Sequence, residues 1–170
     1  MPDVLTHLAT GHWLGRALTA RSTDPARARA LLWGTLAGSA LPDLATRAPN
    51  QLLGRLVPEL GSILHPLHSP LPYAVLSALV ARAFVEGHRR AVLGGLLAGG
   101  LLHLLLDLGQ CNLKPGYTLF FPFSAQGFQV CLYFPESSVR YVGWFAAGSV
   151  ALEVIRRLRR VSPTASRPGA

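Results

Sequence analysis

The sequence predicts an all-α protein: a multi-span helical membrane bundle of about five helices, four to five of them spanning, with two longer loops on one side. Half of the 170 residues are hydrophobic and only 14% are charged, well below the roughly 25% of a typical soluble domain. Apolar stretches of helical length alternate with short arginine-rich segments. Because so few charged side chains are available to coat the surface, much of it is expected to face lipid.

The length corresponds to one domain. We predict a single helical membrane domain over residues 1–160 and a disordered Ser/Pro-rich tail over residues 161–170. The predicted helices cover residues 4–20, 26–41, 71–86, 91–111 and 139–155. The predicted connections are the long loops 44–70 and 112–138 and a tight turn at 86–90. The helix at 91–111 is the clearest candidate span, since it is apolar over about the 20 residues that a bilayer requires.

The second helix has recognisable boundaries in the sequence. Asp24 is placed to cap it and Pro25 suits its first turn. Pro42 is expected to end it, because proline disrupts a helix interior. Within it, the small residues Gly34 and Gly38 would allow another helix to pack closely in a membrane.

Positive charge is uneven between the two sides of a bundle whose five helices alternate in direction. Eleven arginines fall on one side: Arg16, Arg21, Arg27, Arg29, Arg82, Arg89, Arg90, Arg156, Arg157, Arg159 and Arg160. Four cations fall on the other: Arg47, Arg55, Lys114 and Arg140. The positive-inside rule predicts an inner-membrane protein with its C-terminus in the cytoplasm. The arginines do not form a stripe interleaved with aromatic residues, so nucleic-acid binding is not expected.

Several polar residues at predicted helix ends fall on the charge-poor, non-cytoplasmic side. His103 and Asp107 lie one turn apart on one face of an otherwise leucine-rich helix. His7, Asp43 and His68 reach the same side from other elements, and His65 is a spare ligand. Imidazole and carboxylate groups together suit Zn²⁺, Mn²⁺ or Fe, so the convergence predicts a metal site with zinc as the first candidate.

Each residue also has a structural interpretation. His103 and Asp107 could form a hydrogen-bonded pair between helices, Asp43 could cap a turn, and His68 could be an ordinary loop histidine. A non-catalytic scaffold or a small transporter with buried His/Asp pairs is therefore the alternative function. His12 and His88 fall away from the convergence and are interpreted as structural or surface residues.

The chain resembles a known family at four short motifs in order: Thr6-His7 followed by Gly11 and Gly15, then residues 38–44 (GSALPDL), then His68-Ser69, then His103-Leu-Leu-Leu-Asp107. It looks like the YdjM-like, LexA-regulated inner-membrane metal-dependent hydrolases, over about residues 5 to 125. The resemblance implies a multi-span inner-membrane protein with a divalent-metal hydrolase site. It implies that the ligands are His7, Asp43, His68, His103 and Asp107.

Two departures from the family pattern bear on the site. Ala45 stands where the family has a second Asp, and residues 63–69 (ILHPLHS) replace its His-Arg-Gly and Thr-His-Ser sequences. A carboxylate and a basic pair are therefore missing, which weakens the expectation of a two-metal centre. His65 is a candidate substitute ligand, and an inactive member of the family is the alternative.

The sequence-based function is metal-dependent hydrolysis at the membrane boundary, with a phosphoester or lipid-linked molecule as the expected substrate. Three or four ligands would hold the ion, and Asp43 or Asp107 would act as general base or would orient a ligand. The aromatic loop at 117–134 suits the membrane–water interface. Cys111 and Cys131 flank this loop, where they either form a disulfide or remain two free thiols.

Overall fold

The computed structural model describes residues 4–111 and 116–161, and these form a helical protein without named strands. The elements are α1 (Val4–Thr19), α2 (Pro25–Leu53), α3 (Leu60–Leu64), a 3-10 helix (His65–His68), α4 (Pro70–Arg82), α5 (Glu86–Leu108) and α6 (Pro135–Val161). The all-α prediction is confirmed. Residues 162–170 of the predicted tail, and Lys114, lie outside the described residues.

The prediction that the second helix ends at Pro42 is wrong, because α2 continues through Pro42 and Pro49 to Leu53. Pro42 has no N–H to donate to the carbonyl of Gly38, four residues earlier. The hydroxyl of Tyr73 in α4 lies 3.1 Å from that carbonyl oxygen and 2.8 Å from the carbonyl oxygen of Leu96, so its one proton is shared between the two acceptors. A neighbouring helix thus contributes a donor to the freed carbonyl. Asp43 consequently lies inside a helix and does not cap a turn.

Other boundaries also differ from the sequence-based expectation. The predicted tight turn at 86–90 is wrong, since α5 begins at Glu86 after three connecting residues. The backbone N–H groups of His88 and Arg89 both donate to the carbonyl of Val85, at 3.0 Å each, which closes the first turn of α5. The predicted loop 44–70 contains the end of α2, α3 and the 3-10 helix, and α6 is longer than predicted.

The centre of the fold is a close contact between α2 and α5, the most extensive helix pair. Gly34 and Gly38 of α2 lie against the α5 backbone, where a Cβ on Gly38 would come within 2.8 Å of the Leu96 Cα. Reciprocally, a Cβ on Gly95 would come within 2.7 Å of the Thr35 nitrogen. The predicted close packing at Gly34 and Gly38 is confirmed. The two backbones can approach this closely only because glycines face each other.

The second half of helix α5 has its polar side chains inside and several of its leucines outside. His103 and Asp107 are fully buried, whereas Leu101 and Leu105 are 55% and 57% exposed. Among the described residues, α5 is also the one helix long and apolar enough to cross a bilayer, with a mean hydropathy of 1.9. The expectation of four to five spanning helices stays a prediction.

The connection from α5 to α6 folds back over the end of the bundle. Cys111 and Cys131 form a disulfide, so the alternative of two free thiols is wrong. The Cys111 N–H donates to the Tyr133 carbonyl at 2.8 Å, and Tyr117 and Phe128 exchange backbone hydrogen bonds of 2.8 and 2.9 Å. This hairpin-like loop holds Tyr117 and Tyr133 beside the ends of α2 and α5.

Helix α6 is attached to α1 by a charged contact. Glu153 of α6 accepts a hydrogen bond from His12 at 3.0 Å and pairs with Arg16. Trp13 stacks at a tilt on Phe145, with ring centroids 5.4 Å apart. His12 therefore has a structural partner outside the predicted metal site, as expected.

Candidate metal centre

Four of the five predicted ligands meet at one point in the fold. Asp43 comes from α2, His68 from the 3-10 helix, and His103 and Asp107 from successive turns of α5. Each offers one ligand atom, and these atoms all lie within 4.8 Å of one another. All four side chains are buried.

The spacing of these atoms suits a single small cation. The His68 Nε2 lies 3.3 Å from the Asp43 Oδ1, and the His103 Nε2 lies 3.4 Å from the Asp107 Oδ2. The cross distances, His68 Nε2 to Asp107 Oδ2 and His103 Nε2 to Asp43 Oδ1, are both 3.8 Å. Ligand bonds of about 2.0–2.2 Å at tetrahedral angles separate ligand atoms by roughly 3.3–3.6 Å. The cluster is therefore close to the required size before any side chain moves.

The backbone of α2 fixes which nitrogen of His103 faces the cluster. His103 Nδ1 lies 2.8 Å from the carbonyl oxygen of Ser39. A carbonyl can only accept, so Nδ1 carries a proton, and the tautomer this selects has its Nε2 lone pair directed at the cluster. Metal-binding histidines are oriented in this way by a second hydrogen bond.

Thr46 fixes His68 by a relay. The Thr46 hydroxyl donates to the Pro42 carbonyl at 2.9 Å, which uses its only proton. It must therefore accept from His68 Nδ1, which lies 3.1 Å away. The proton of His68 is held on Nδ1, and its Nε2 is left as a ligand atom facing Asp43.

We predict that Thr46→Val, which keeps the shape of the side chain but removes the acceptor, weakens metal binding by about 10- to 100-fold. The reason is that His68 can then rotate or carry its proton on Nε2. Competition with a chelator measures the change in affinity. Thr10→Val is the matched control, since the Thr10 hydroxyl bonds only to α1 carbonyls at 2.8 and 3.1 Å. Equal affinities in the two variants would contradict the relay.

Residues that follow the end of α5 hold Asp107 and its neighbour Leu106 in place. The Gln110 amide donates to the Asp107 Oδ1 at 2.6 Å, and the Tyr133 hydroxyl donates to the nearby carbonyl of Leu106. Burial raises the pKa of the Tyr117 hydroxyl, and the charge of Asp107 raises it further. Tyr117 therefore stays protonated beside Asp107.

Unsatisfied polar atoms test whether these residues fit a metal ion. Within the described part of the chain, five buried atoms on the histidines and aspartates at the cluster have no hydrogen-bond partner: His7 Nδ1, His7 Nε2, Asp43 Oδ2, His103 Nε2 and Asp107 Oδ2. Buried polar groups are normally hydrogen-bonded, because an unpaired one costs about 1–3 kcal/mol. A divalent cation would satisfy several of them together, so the donor set fits such an ion.

His7 and His65 stand apart from the four. His7 stacks on His103 with ring centroids 3.9 Å apart, and its Nε2 lies 3.4 Å from the Asp107 Oδ1. It touches the cluster but is outside the group whose ligand atoms converge. The His65 side chain is exposed and is also outside that group.

Sequence reasoning missed the residues that support the ligands. Arg47 Nε lies 2.8 Å from the Asp43 Oδ1, and its Nη2 is buried without a hydrogen-bond partner. Arg47 and Thr46 cannot be identified as site residues if α2 is predicted to end at Pro42, because helical spacing then does not relate them to Asp43. Once the helix continues, the four-residue spacing of Arg47 from Asp43 would have found the first of them.

The fold and the cluster together define a class: a small all-helical protein with an apolar helix able to cross a membrane and a buried His/Asp group that could hold a metal ion. The chain belongs to the YdjM inner membrane protein family, which matches residues 1–165. The resemblance seen in the motifs is confirmed. Neither the curated proteins nor the solved structures gave a significant match.

Proposed function

We propose that this protein is a multi-pass inner-membrane hydrolase that uses one divalent metal ion held by Asp43, His68, His103 and Asp107. The observation that carries the proposal is a group of buried ligand atoms of which three, Asp43 Oδ2, His103 Nε2 and Asp107 Oδ2, have no hydrogen bond. A scaffold that used these residues only to join helices would be expected to pair all of them directly, whereas only the His68 Nε2 and the Asp43 Oδ1, 3.3 Å apart, meet in hydrogen-bond geometry. The other contacts, of 3.4–3.8 Å, suit a shared ion better.

The donor set favours one ion, with zinc as the first candidate. Two imidazoles and two carboxylates suit Zn²⁺, and Mn²⁺ or Fe are further possibilities. The Ala45 side chain has no donor atom for a second ion, and His65 is exposed and outside the group of converging ligand atoms. His7 remains beside Asp107 as a fifth group that can accept or donate a proton.

A bound divalent ion supplies an acidified water and polarises a phosphoryl or acyl oxygen. Asp43 or Asp107 can accept the proton of that water, because each carboxylate keeps one oxygen, Oδ2, free of hydrogen bonds. Arg47 lies at the edge of the site with a side chain 23% exposed. Its unpartnered Nη2 is placed to bind an anionic oxygen. These features favour a phosphoester, carried on a lipid-like molecule at the membrane boundary.

Two observations support a site on the non-cytoplasmic side. The Cys111–Cys131 disulfide lies in the loop beside the cluster, and structural disulfides persist in oxidising compartments. The opposite end of the bundle carries the arginine-rich segments, such as Arg89 and Arg90, which the positive-inside rule places in the cytoplasm. The outward leucines of α5, including Leu101 and Leu105, support a lipid-facing surface.

We predict that Cys111 and Cys131 resist alkylation in intact cells until a reductant is added, because they are bonded on the oxidising side. Mass spectrometry of the protein after alkylation, with and without reduction, measures this. A Cys111→Ser/Cys131→Ser variant should lose about 3 kcal/mol of stability, since the bond closes a loop of 20 residues. Two alkylated thiols in cells without reductant would place the loop in the cytoplasm.

The hydrolase proposal is tested with purified protein in mixed micelles containing a lipid phosphomonoester or a polyprenyl diphosphate. Phosphate release should require added divalent metal and should fall by at least about 100-fold in Asp43→Asn, since general bases contribute about 10²–10⁴-fold. Arg47→Lys should mainly raise KM, because a planar guanidinium binds phosphoryl oxygens better than an ammonium. Bound metal without any metal-dependent hydrolysis across these substrates would favour the scaffold alternative.

A further inference from the structure

A groove of about 650 Å³ lies at the other end of the bundle from the metal centre, between α2, α4 and α5. Its walls come from one face of α2, from the end of α4 and from the first turns of α5. The volume is in the range of small-molecule and cofactor sites.

The lining of this groove changes along its length. Arg29 and His88 come from near the starts of α2 and α5, and the apolar residues Ala37 and Leu96 come from about two turns farther along the same two helices. Arg29 and Ala37 are eight residues apart on α2, which is roughly 12 Å along the axis. One end can therefore bind an anion while the rest accepts only an apolar chain.

The charged end belongs to the arginine-rich side of the protein. Arg27, Arg89 and Arg90 lie in the same first turns of α2 and α5. Two acids also lie at this end. Asp24 caps α2, where its carboxylate accepts from the Ala26 and Arg27 backbone N–H groups at 2.8 and 3.1 Å, and the Glu86 carboxylate lies 3.9 Å from the Arg89 guanidinium. The four arginines at this end, Arg27, Arg29, Arg89 and Arg90, outnumber the two acids, so the net charge around the groove mouth is positive.

We infer that this groove binds an anionic phospholipid, with the phosphate at Arg29 and His88 and one acyl chain between α2 and α5. Basic pockets between helices on the cytoplasmic side of a membrane protein bind anionic headgroups. The groove matches that chemistry at one end and the hydrocarbon chain at the other. Trp33, which lines the groove and is 65% exposed, has the amphipathic ring expected where headgroups meet chains. This inference is independent of the proposed hydrolase activity.

Trp33 gives a local probe of the occupant. Full-length protein is reconstituted in phosphatidylcholine vesicles that contain increasing fractions of phosphatidylglycerol or phosphatidylcholine with brominated acyl chains, which quench nearby indoles. The Trp33 signal is the difference between the wild type and Trp33→Phe. It should be half-quenched at a several-fold lower mole fraction of the brominated phosphatidylglycerol.

Three variants distinguish specific lipid binding in the groove from non-specific electrostatic attraction to the membrane surface. Arg29→Gln should lower the preference for phosphatidylglycerol by about fivefold, the effect of one cation near a headgroup. Arg27→Gln removes the same charge two residues away, outside the groove lining, and should keep the preference. Ala37→Leu should reduce quenching by filling the apolar end. Circular dichroism and gel filtration check that each variant is folded.

Equal quenching by the two lipids in the wild type would overturn the inference. So would equal losses in Arg29→Gln and Arg27→Gln, because the preference would then come from net charge alone. Unchanged quenching in Ala37→Leu would exclude an acyl chain in the groove.

Discussion

Wild-type protein purified in detergent is expected to carry about one divalent metal ion per chain, and the Asp107→Asn variant is expected to lose it. Asp107 is fully buried and contacts three imidazoles: those of His7, His68 and His103, at 3.4–3.8 Å. Removing a direct ligand should lower the affinity by more than the 10- to 100-fold that supporting residues contribute. Elemental analysis of the dialysed protein measures the metal content.

A histidine outside the cluster provides the matched control. His12→Ala removes an imidazole from the same helix as His7, but its partner is Glu153, so this variant should keep the metal. A chelator should also lower the thermal stability of the wild type, since a ligand at 100 times its Kd contributes about 2.7 kcal/mol. Asp107→Asn should be insensitive to the chelator. Metal retained in Asp107→Asn, or none in the wild type, would exclude the metal centre.

The sequence was sufficient to bring four of the five predicted ligands together because the end of the bundle at which each one lies depends on topology. His103 and Asp107 share a face by helical spacing, whatever the helix packs against. An alternating helix order then brings Asp43 and His68 to the same end. Errors of a few residues in the helix boundaries do not alter which end of the bundle a residue occupies. The predicted convergence therefore did not depend on accurate boundaries.

The features that could not be predicted from the sequence depend on contacts with other helices. Where α2 continues past Pro42, the freed Gly38 carbonyl lies 3.1 Å from the Tyr73 hydroxyl of α4, and no local pattern around Pro42 indicates that donor. The tautomers of His68 and His103 are likewise set by Thr46 and by the Ser39 carbonyl. The position of His7 beside the ligands, stacked on His103, depends on how α1 packs on α2 and α5.

Gly99→Ala is expected to destabilise the protein and to weaken metal binding together. Gly99 lies one turn before His103 on α5, and a Cβ there would come within 2.7 Å of the Ser39 backbone nitrogen. Since that obstacle is backbone, α2 and α5 must move apart, at a cost of about 1–3 kcal/mol for an overpacked site. Thermal unfolding in detergent and chelator competition measure the two effects.

The loss of metal affinity in Gly99→Ala follows from the position of the ligands on the same two helices. Asp43 is on α2, whereas His103 and Asp107 are on α5, so separating the helices lengthens the distances between their ligand atoms. Gly94→Ala, on the same helix, is the control: its Cβ would meet only the Leu31 Cδ1, at 3.9 Å. That variant should keep the metal and gain about 0.5–1 kcal/mol, because alanine favours a helix over glycine. Similar stabilities for the two alanine variants would mean that the glycine contact does not set the spacing of the site.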